Sequence, residues 1–444
     1  MKLRSNTYLL GILVLSVLVR IAVSFYLGDV VDAPPLLTDQ RSYHALGARL
    51  IAGHGFSFDK GWYPFTPPDT PTAHWSFLYS LFVAAVYALF GVHPLAVRLT
   101  QSVIGGILLP YMVYRLARRI FAAEADPSTS PLSRPRIIPL VSALLAAIYA
   151  YLALYAATLM TETFYITALL WVLEQALALA ERPTWRGGLW LGLGLGIATL
   201  LRQSILPWVA VMFVWLLWVG LRRGSLRRTI GSLSISALLL IAMLMPFTIR
   251  NYFAYGRFLL LNSNAGYAMY SAQHPMHGTN FQEFTAAPVP QELMGLNEAQ
   301  LDQELMRRGI GFVLAEPGRY LLLSLSRARA YFEFWPSPDT TLLNNLGRTG
   351  SFGLFLPFMV YGFWRAFRQA GPLRSRSDWA RFSVTPLALV SLFMLFYSAL
   401  HILTWAMPRY RLPVDATALP FAALGLLDLV RRIVISRKSF VTGE

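Results

Sequence analysis

The stretch HWSFLYSLFVAAVYALFG, His74 to Gly91, is apolar enough to pass for a membrane span, and its reading decides how the chain threads. It stands between a first apolar run, Tyr8 to Leu27, and the basic cluster YRLARR, Tyr114 to Arg119. A second apolar run, Leu95 to Phe121, leads straight into those arginines. Short loops rich in Lys and Arg stay in the cytoplasm. The basic start Met1–Arg4 therefore sits inside, and Tyr8–Leu27 carries the chain out. If both later runs crossed, YRLARR would emerge on the wrong side, so one of them crosses. Leu95–Phe121 is the longer and is predicted to span. His74–Gly91 is then predicted to lie at the outer interface, with Trp75, Tyr79 and Tyr87 at the depth that amphipathic rings prefer.

The composition agrees with a membrane protein. The chain has 444 residues, 56% of them hydrophobic and 14% charged, with a mean hydropathy of +0.50. Several apolar runs reach the ~20 residues that cross a bilayer core. The alternating short segments of a barrel are not seen, so the class is all-α and polytopic. A net charge of +16 would point to nucleic acid in a soluble chain. Here the arginines cluster between apolar runs, topology accounts for most of them, and no nucleic-acid partner is expected. The absence of cysteine leaves no disulfide or thiol chemistry. Tyr8–Leu27 exceeds a signal-peptide core and has no clear cleavage site after it, so it reads as an uncleaved anchor.

Later basic clusters (133–136, 181–186, 221–228, 364–381 and 431–438) place the remaining spans near 137–156, 160–180, 187–202, 204–221, 229–248, 350–367, 383–404 and 412–431. About ten transmembrane helices result, in a single domain over 1–444 with both termini cytoplasmic. The helix near 187–202 is glycine-rich, which allows close packing. Residues 127–139 read as a loop. Two large segments, 28–94 and 249–349, remain outside. The second contains a polar helix at Asn297–Leu314 and an amphipathic one at Pro317–Trp335, whose arginines make it a poor span.

The outer segments hold a biased set of polar residues. All seven histidines (His44, His54, His74, His93, His274, His277 and His401) fall there or near outer helix ends. Chance and function both account for that, and no close metal-ligand spacing is present. Asp39 opens a predicted helix, 39–53, whose Tyr43, Leu46 and Leu50 share one apolar face and which Gly53 and Gly55 end. The carboxylate either caps that helix or does chemistry, and one role does not exclude the other. Glu162 similarly opens a span and could simply favour its N-terminus. Arg202, Arg250, Arg409 and Arg411 lie outside, against the positive-inside trend. Guanidinium forks suit phosphate oxygens, so this set favours an anionic ligand at the membrane surface over headgroup contacts or loop ion pairs.

Together these features resemble the GT-C superfamily of membrane glycosyltransferases, and most of all glycosyltransferase family 39, the branch of protein O-mannosyltransferases and the lipid A aminoarabinose transferase. The resemblance rests on Asp39, Tyr43, Ala48, Leu50, Gly53 and Gly55 in the first outer loop, with PTAHWSFLYSLFVAAVYALFG after it. It continues in LMTETF with Glu162, IATLLRQ with Arg202, PFTIRNYFAYGRF with Arg250 and Asn251, and PRYRLP from Arg409 through Tyr410 and Arg411 to Pro413. It covers about residues 7–431. The chain departs from the family at His74-Trp75-Ser76, where a basic residue followed by two prolines is common.

The resemblance implies a polyprenyl-phosphate-linked sugar donor and an acceptor that is a glycolipid, polysaccharide or protein, met on the outer face of a bacterial cytoplasmic membrane. It implies an inverting transfer with Asp39 as base. Glu162 would hold a sugar hydroxyl, a metal or an arginine. Tyr43, His74, Arg202, Arg250, Asn251, Arg409, Tyr410 and Arg411 would bind substrate or phosphate. No cofactor is certain, and a divalent metal ion stays open. Two other functions compete. An O-antigen-ligase-like transferase would place its weight on 249–349 and the arginines. A transporter or flippase of lipid-linked sugar would show ionisable residues in mid-membrane and symmetry between halves, neither of which is clear.

Overall fold

The computed structural model describes residues 2–31, 39–121, 134–282, 285–338 and 342–442. The described residues are nearly all helical, with two isolated bridges, Ser57–Pro71 and Trp62–Thr66, in the first outer segment. In chain order the helices are α1 (Lys2–Leu27), α2 (Asp39–Ile51), α3 (Phe77–Phe90), α4 (Pro94–Ile120), α5 (Arg134–Ile148), α6 (Ala150–Ala156), α7 (Glu162–Glu181), α8 (Trp185–Leu201) and α9 (Leu206–Arg222). They continue with α10 (Leu226–Tyr255), α11 (Ala265–Gln273), α12 (Glu298–Ala315), α13 (Pro317–Tyr331), α14 (Leu342–Arg348), α15 (Leu354–Gln369), α16 (Arg376–Phe382), α17 (Pro386–Leu403) and α18 (Leu412–Thr442).

A helix stands at each of the ten expected spans. Seven helices are long and apolar enough to cross a bilayer, or eight if α5 and α6, bent by 59° at Tyr149, make one broken span. The other two, α8 and α15, have 17 and 16 residues. Each lies against a long partner through glycine. A Cβ on Gly188 of α8 would stand 2.4 Å from the Ser232 carbonyl oxygen of α10, and one on Gly362 of α15 would stand 1.8 Å from that of Phe421 on α18. The chain is a multi-pass membrane protein with an all-α bundle.

The decisive stretch forms α3, of 14 residues. At ~1.5 Å per residue this reaches about 21 Å, short of a ~30 Å hydrocarbon core. Its aromatic residues differ from expectation. Tyr79 and Tyr87 are buried, and they face α2 and α4 instead of forming an interfacial belt. The Tyr87 hydroxyl meets His44 of α2 at 2.7 Å, and Tyr79 donates to Gln101 of α4 at 2.7 Å. Gly47 of α2 would place a Cβ 2.4 Å from Val83, so α2 and α3 pack closely. α2 ends at Ile51, and Gly53 and Gly55, at φ +83° and +67°, turn the chain away.

The outer helices also form where expected. Asn297 caps α12 in a reciprocal capping box with Gln300. Leu321, Leu322 and Leu325 of α13 are exposed together. The loop read at 127–139 lies outside the described residues up to 133, and from Arg134 the chain is already in α5.

One feature was not anticipated. Arg20 lies inside the first span and is buried. Its guanidinium donates to the Ala147 and Ala146 carbonyls at 3.0 and 3.1 Å. Those carbonyls sit at the α5–α6 break, where the regular helix ladder ends, so the arginine supplies the donors that the break removes.

Candidate functional site

Four short pieces of backbone converge at one end of the bundle. Asp39 is the first residue of α2, Glu162 the first of α7, Arg202 the residue just past α8, and Arg409 sits in the single 3₁₀ turn before α18. At the opposite end Arg119 of α4 pairs with Glu181 of α7 at 2.7 Å. Arg115 and Arg119 both bind the buried Glu174, at 2.9 and 3.0 Å. The site and these basic clusters therefore occupy opposite ends of the helices.

The two carboxylates are each held by a guanidinium. Arg409 Nη1 donates to Asp39 at 2.8 Å. Arg202 binds Glu162 through Nη2 and donates from Nε to the Thr161 hydroxyl at 2.8 Å. The two arginines share one aromatic ring, Tyr410, whose centroid lies 5.4 Å from the Arg202 guanidinium and 5.2 Å from that of Arg409. Tyr410 stacks on His401 at 4.9 Å. On the other side of Arg202, Tyr165 lies 5.7 Å away and accepts from the Tyr397 hydroxyl at 3.0 Å.

The start of α2 is fixed from behind. Gln40, next to Asp39, accepts from Arg98 at 3.1 Å and from the Leu159 backbone at 3.2 Å. Arg98 is fully buried and also donates to the Ala157 carbonyl at 3.0 Å. Gln101, one turn further along α4, donates to the carbonyls of Tyr155, Ala156 and Thr158. The turn that delivers Glu162 and the helix that delivers Asp39 thus share one set of buried donors. The described carboxylate bond of Asp39 goes across to Arg409. Arg98, Gln40 and Gln101 were not singled out in the sequence. A buried arginine inside an apolar run was the available signal.

Tyr43 packs edge-on against Trp75 at 5.7 Å and Tyr79 at 4.7 Å, one helical turn from Asp39. Burial and the Asp39 charge push its phenol up. His74 is buried against Phe65, Trp75 and Tyr267, and burial pushes its imidazole below the usual range. A neutral imidazole can donate or accept one hydrogen bond, the form in which His74 would meet a phosphate oxygen without a charge of its own.

Arg411 has its own carboxylate partner. Although two residues from Arg409, it is fully buried and paired with Asp415 at 2.9 Å, and Asp415 accepts from the Tyr149 hydroxyl at 2.7 Å. It clamps α18, with Nη1 donating to the Tyr331 carbonyl and Nη2 left without a partner among the described residues. Arg250 and Asn251 form a separate group. Asn251 holds the Leu259 and Leu261 carbonyls at 3.2 and 2.7 Å. Arg250 lies over Phe56, Phe77 and Tyr255 at 5.8, 5.6 and 5.9 Å. The remaining histidines are dispersed. His93 pairs with Asp29 at 2.9 Å, and His277 bonds the Ser271 carbonyl at 3.0 Å.

Buried polar atoms without a hydrogen-bond partner among the described residues gather at this site: Glu162 Oε2, Arg409 Nε, His74 Nδ1, Trp75 Nε1 and His401 Nε2. Such atoms are costly unless a ligand or water meets them. The set mixes donors, Arg409 Nε and Trp75 Nε1, with a carboxylate oxygen and two imidazole nitrogens whose role depends on the tautomer, which fits a ligand bearing both acceptors and hydroxyls. Each site carboxylate has one oxygen bonded to an arginine, and no group of three or more His, Asp or Glu among the described residues is placed to hold a metal ion.

A family model described as dolichyl-phosphate-mannose-protein mannosyltransferase matches residues 71–249, the segment that holds His74, Glu162 and Arg202. No curated protein matches the chain. Among solved structures, the oligosaccharyltransferase AglB of Archaeoglobus fulgidus, in complex with an inhibitory peptide and a dolichol-phosphate, superposes with a TM-score of 0.57 at 15% identity, over 98% of this chain and 51% of that one. ArnT from Cupriavidus metallidurans, bound to undecaprenyl phosphate, superposes with a TM-score of 0.50 at 14% identity, over 94% of this chain and 60% of that one. The chain spans about half the length of the archaeal enzyme. The GT-C resemblance read from the sequence is borne out: the bundle has the GT-C glycosyltransferase fold.

Proposed function

We propose that this protein is a glycosyltransferase that takes a sugar from a polyprenyl-phosphate carrier and passes it to an acceptor hydroxyl on the outer face of a bacterial cytoplasmic membrane. The observation that carries the reading is the pair of carboxylates, Asp39 and Glu162, each bonded to an arginine, with the two guanidiniums sharing Tyr410. The AglB structure in complex with a dolichol-phosphate and the ArnT structure bound to undecaprenyl phosphate support a prenyl-phosphate ligand for this fold. The basic clusters at the far end of the bundle support an outward-facing site and cytoplasmic termini.

In this mechanism the donor phosphate enters between Arg409 and Arg202. Charge-assisted bonds from Arg409 to phosphate replace its bond to Asp39, and the freed carboxylate turns to the acceptor. Asp39 takes the proton of the acceptor hydroxyl as that oxygen bonds to the anomeric carbon. The bond from that carbon to the phosphate oxygen breaks on the opposite face, so configuration inverts in a single step. The electron pair leaves with the prenyl phosphate, and the two guanidiniums stabilise its added charge. Glu162 keeps Arg202 oriented, and its second oxygen is left to accept from a sugar hydroxyl.

The test uses the full chain in nanodiscs with an undecaprenyl-phosphate sugar and measures release of undecaprenyl phosphate in the presence of an envelope extract as acceptor. Asp39→Asn is expected to lower turnover by about 10²–10⁴ while the protein unfolds at nearly the wild-type temperature. Full release by that variant would sink the assignment.

A further inference from the structure

A cavity lies on the outer side of the site, beside the loop 61–67 and the segment 294–301, with a volume of ≈ 410 Å³. That is within the range of about 300–1,000 Å³ for small-molecule sites. We infer that this cavity is the acceptor subsite and that it takes an uncharged sugar ring.

Its walls are rigid. The loop closes on itself through paired backbone bonds between Trp62 and Thr66, at 2.8 and 2.9 Å. Trp62 stacks flat on Phe58 at 4.4 Å and donates its indole N–H to Ser42 at 2.9 Å. Ser42 belongs to α2, one turn from Asp39, so the cavity wall is tied to the helix that carries the proposed base. Thr66 donates to Glu298 at 2.7 Å. The same buried carboxylate accepts from the Ala73 backbone and the Ser263 hydroxyl, both at 2.8 Å. The loop is therefore also tied to the strip carrying His74 and to the second outer segment. Such bracing lowers the ordering cost of binding.

The lining sets the ligand class. Tyr63 and Phe65 supply ring surface, with Met294, Leu296 and Leu301 opposite. None of the lining side chains carries a charge, so an acceptor's phosphate or ammonium would lose water there without a partner. The polar groups are neutral, the Tyr63 and Thr66 hydroxyls and the Trp62 N–H, and the Tyr63 hydroxyl meets that of Tyr267 at 3.1 Å. A pyranose has an apolar C–H face for the rings and a hydroxyl edge for these groups. Tyr63 also joins the cavity to the chemistry. It is 58% exposed, and burial of the rest, with the nearby Asp39 carboxylate and Tyr410, pushes its phenol up. A sugar seated here would reach past Tyr63 to present a hydroxyl to Asp39.

This inference rests on the transferase reading but is tested without turnover. Saturation-transfer NMR on the full chain in nanodiscs would use methyl α- and β-glucopyranoside, mannopyranoside and galactopyranoside. A serine- and threonine-containing hexapeptide and phosphoethanolamine would be run beside them. At least one methyl glycoside is expected to show transfer to its ring protons that falls threefold or more in Tyr63→Ala and in Leu296→Asp. Leu296 is partly exposed at the rim, so its variant keeps the fold intact. Equal transfer in wild type and both variants, or variant-sensitive transfer to the peptide or phosphoethanolamine alone, overturns the inference. If sugar binding fails while Asp39-dependent release persists, only the acceptor class is lost. If release proves independent of Asp39, the assignment of Asp39 as base is lost and the sugar site stands.

Discussion

At the scale of single residues, Arg409 and Arg411 carry the clearest lesson. They are two positions apart on a 3₁₀ turn, a spacing that puts side chains on different faces. Arg409 reaches Asp39 and Arg411 reaches Asp415. Their side-chain exposures, 15% and 0%, separate a group that can be re-paired from one that cannot. Arg409→Met is expected to lower turnover by about 10²–10³ with little change in unfolding temperature. Arg411→Met leaves Asp415 buried without its cation and is expected to cost about 3–5 kcal/mol of stability, measured by thermal unfolding in detergent. The opposite pattern would exchange their roles. The sequence made the types of these residues legible, because charge in an apolar protein stands out. It did not distinguish the two arginines, since their partners lie on α2 and α18.

Individual elements depend on close backbone approach and on polar groups at helix ends. Gly362 is pressed against the Phe421 carbonyl of α18, whereas a Cβ on Gly350 would meet nothing within 4 Å. Gly362→Ala is expected to lower the melting temperature by several degrees and Gly350→Ala to leave it nearly unchanged; equal effects would contradict the packing. The N-terminus of α11, which carries Tyr267, is held by Asp302 of α12. Its carboxylate accepts from the Gly266 N–H at 2.7 Å. Burial, only partly offset by the Gly266 and Tyr267 backbone bonds, pushes Asp302 up to about 6. The folded state therefore holds this proton between pH about 4 and about 6 while the unfolded chain has released it. This group's contribution to stability is greatest below about 4 and falls as pH rises to about 6. Asp302→Asn should flatten that part of the curve of melting temperature against pH, and an unchanged slope would place the titration elsewhere.

For the whole molecule, threading follows from charge, and the bundle accords with it. α3 has 14 residues, and the Asp39–Arg409 and Glu162–Arg202 pairs sit opposite the Arg119–Glu181 pair. Because the chain has no cysteine, single cysteines report topology directly. Cysteines at Lys60 and Phe90 are expected to react with an impermeant maleimide added outside intact cells. One at Arg227 should react only after permeabilisation. Protection of Phe90→Cys with labelling of Lys60→Cys would make α3 a span.

By itself the sequence determined an all-α membrane bundle, a helix near each expected span, and a charge pattern that sets Asp39, Glu162 and their arginines apart from the basic clusters. Each of these follows from local composition, from the length of apolar runs, or from the cost of carrying charge across a bilayer. Only the tertiary structure decided which arginine meets which carboxylate. It also decided that Tyr79 and Tyr87 pack inward, that Arg20 satisfies a broken helix, and that Trp62 ties the outer loop to the helix of Asp39. Those facts depend on contacts between residues tens to hundreds of positions apart, and helical phase and element docking set them.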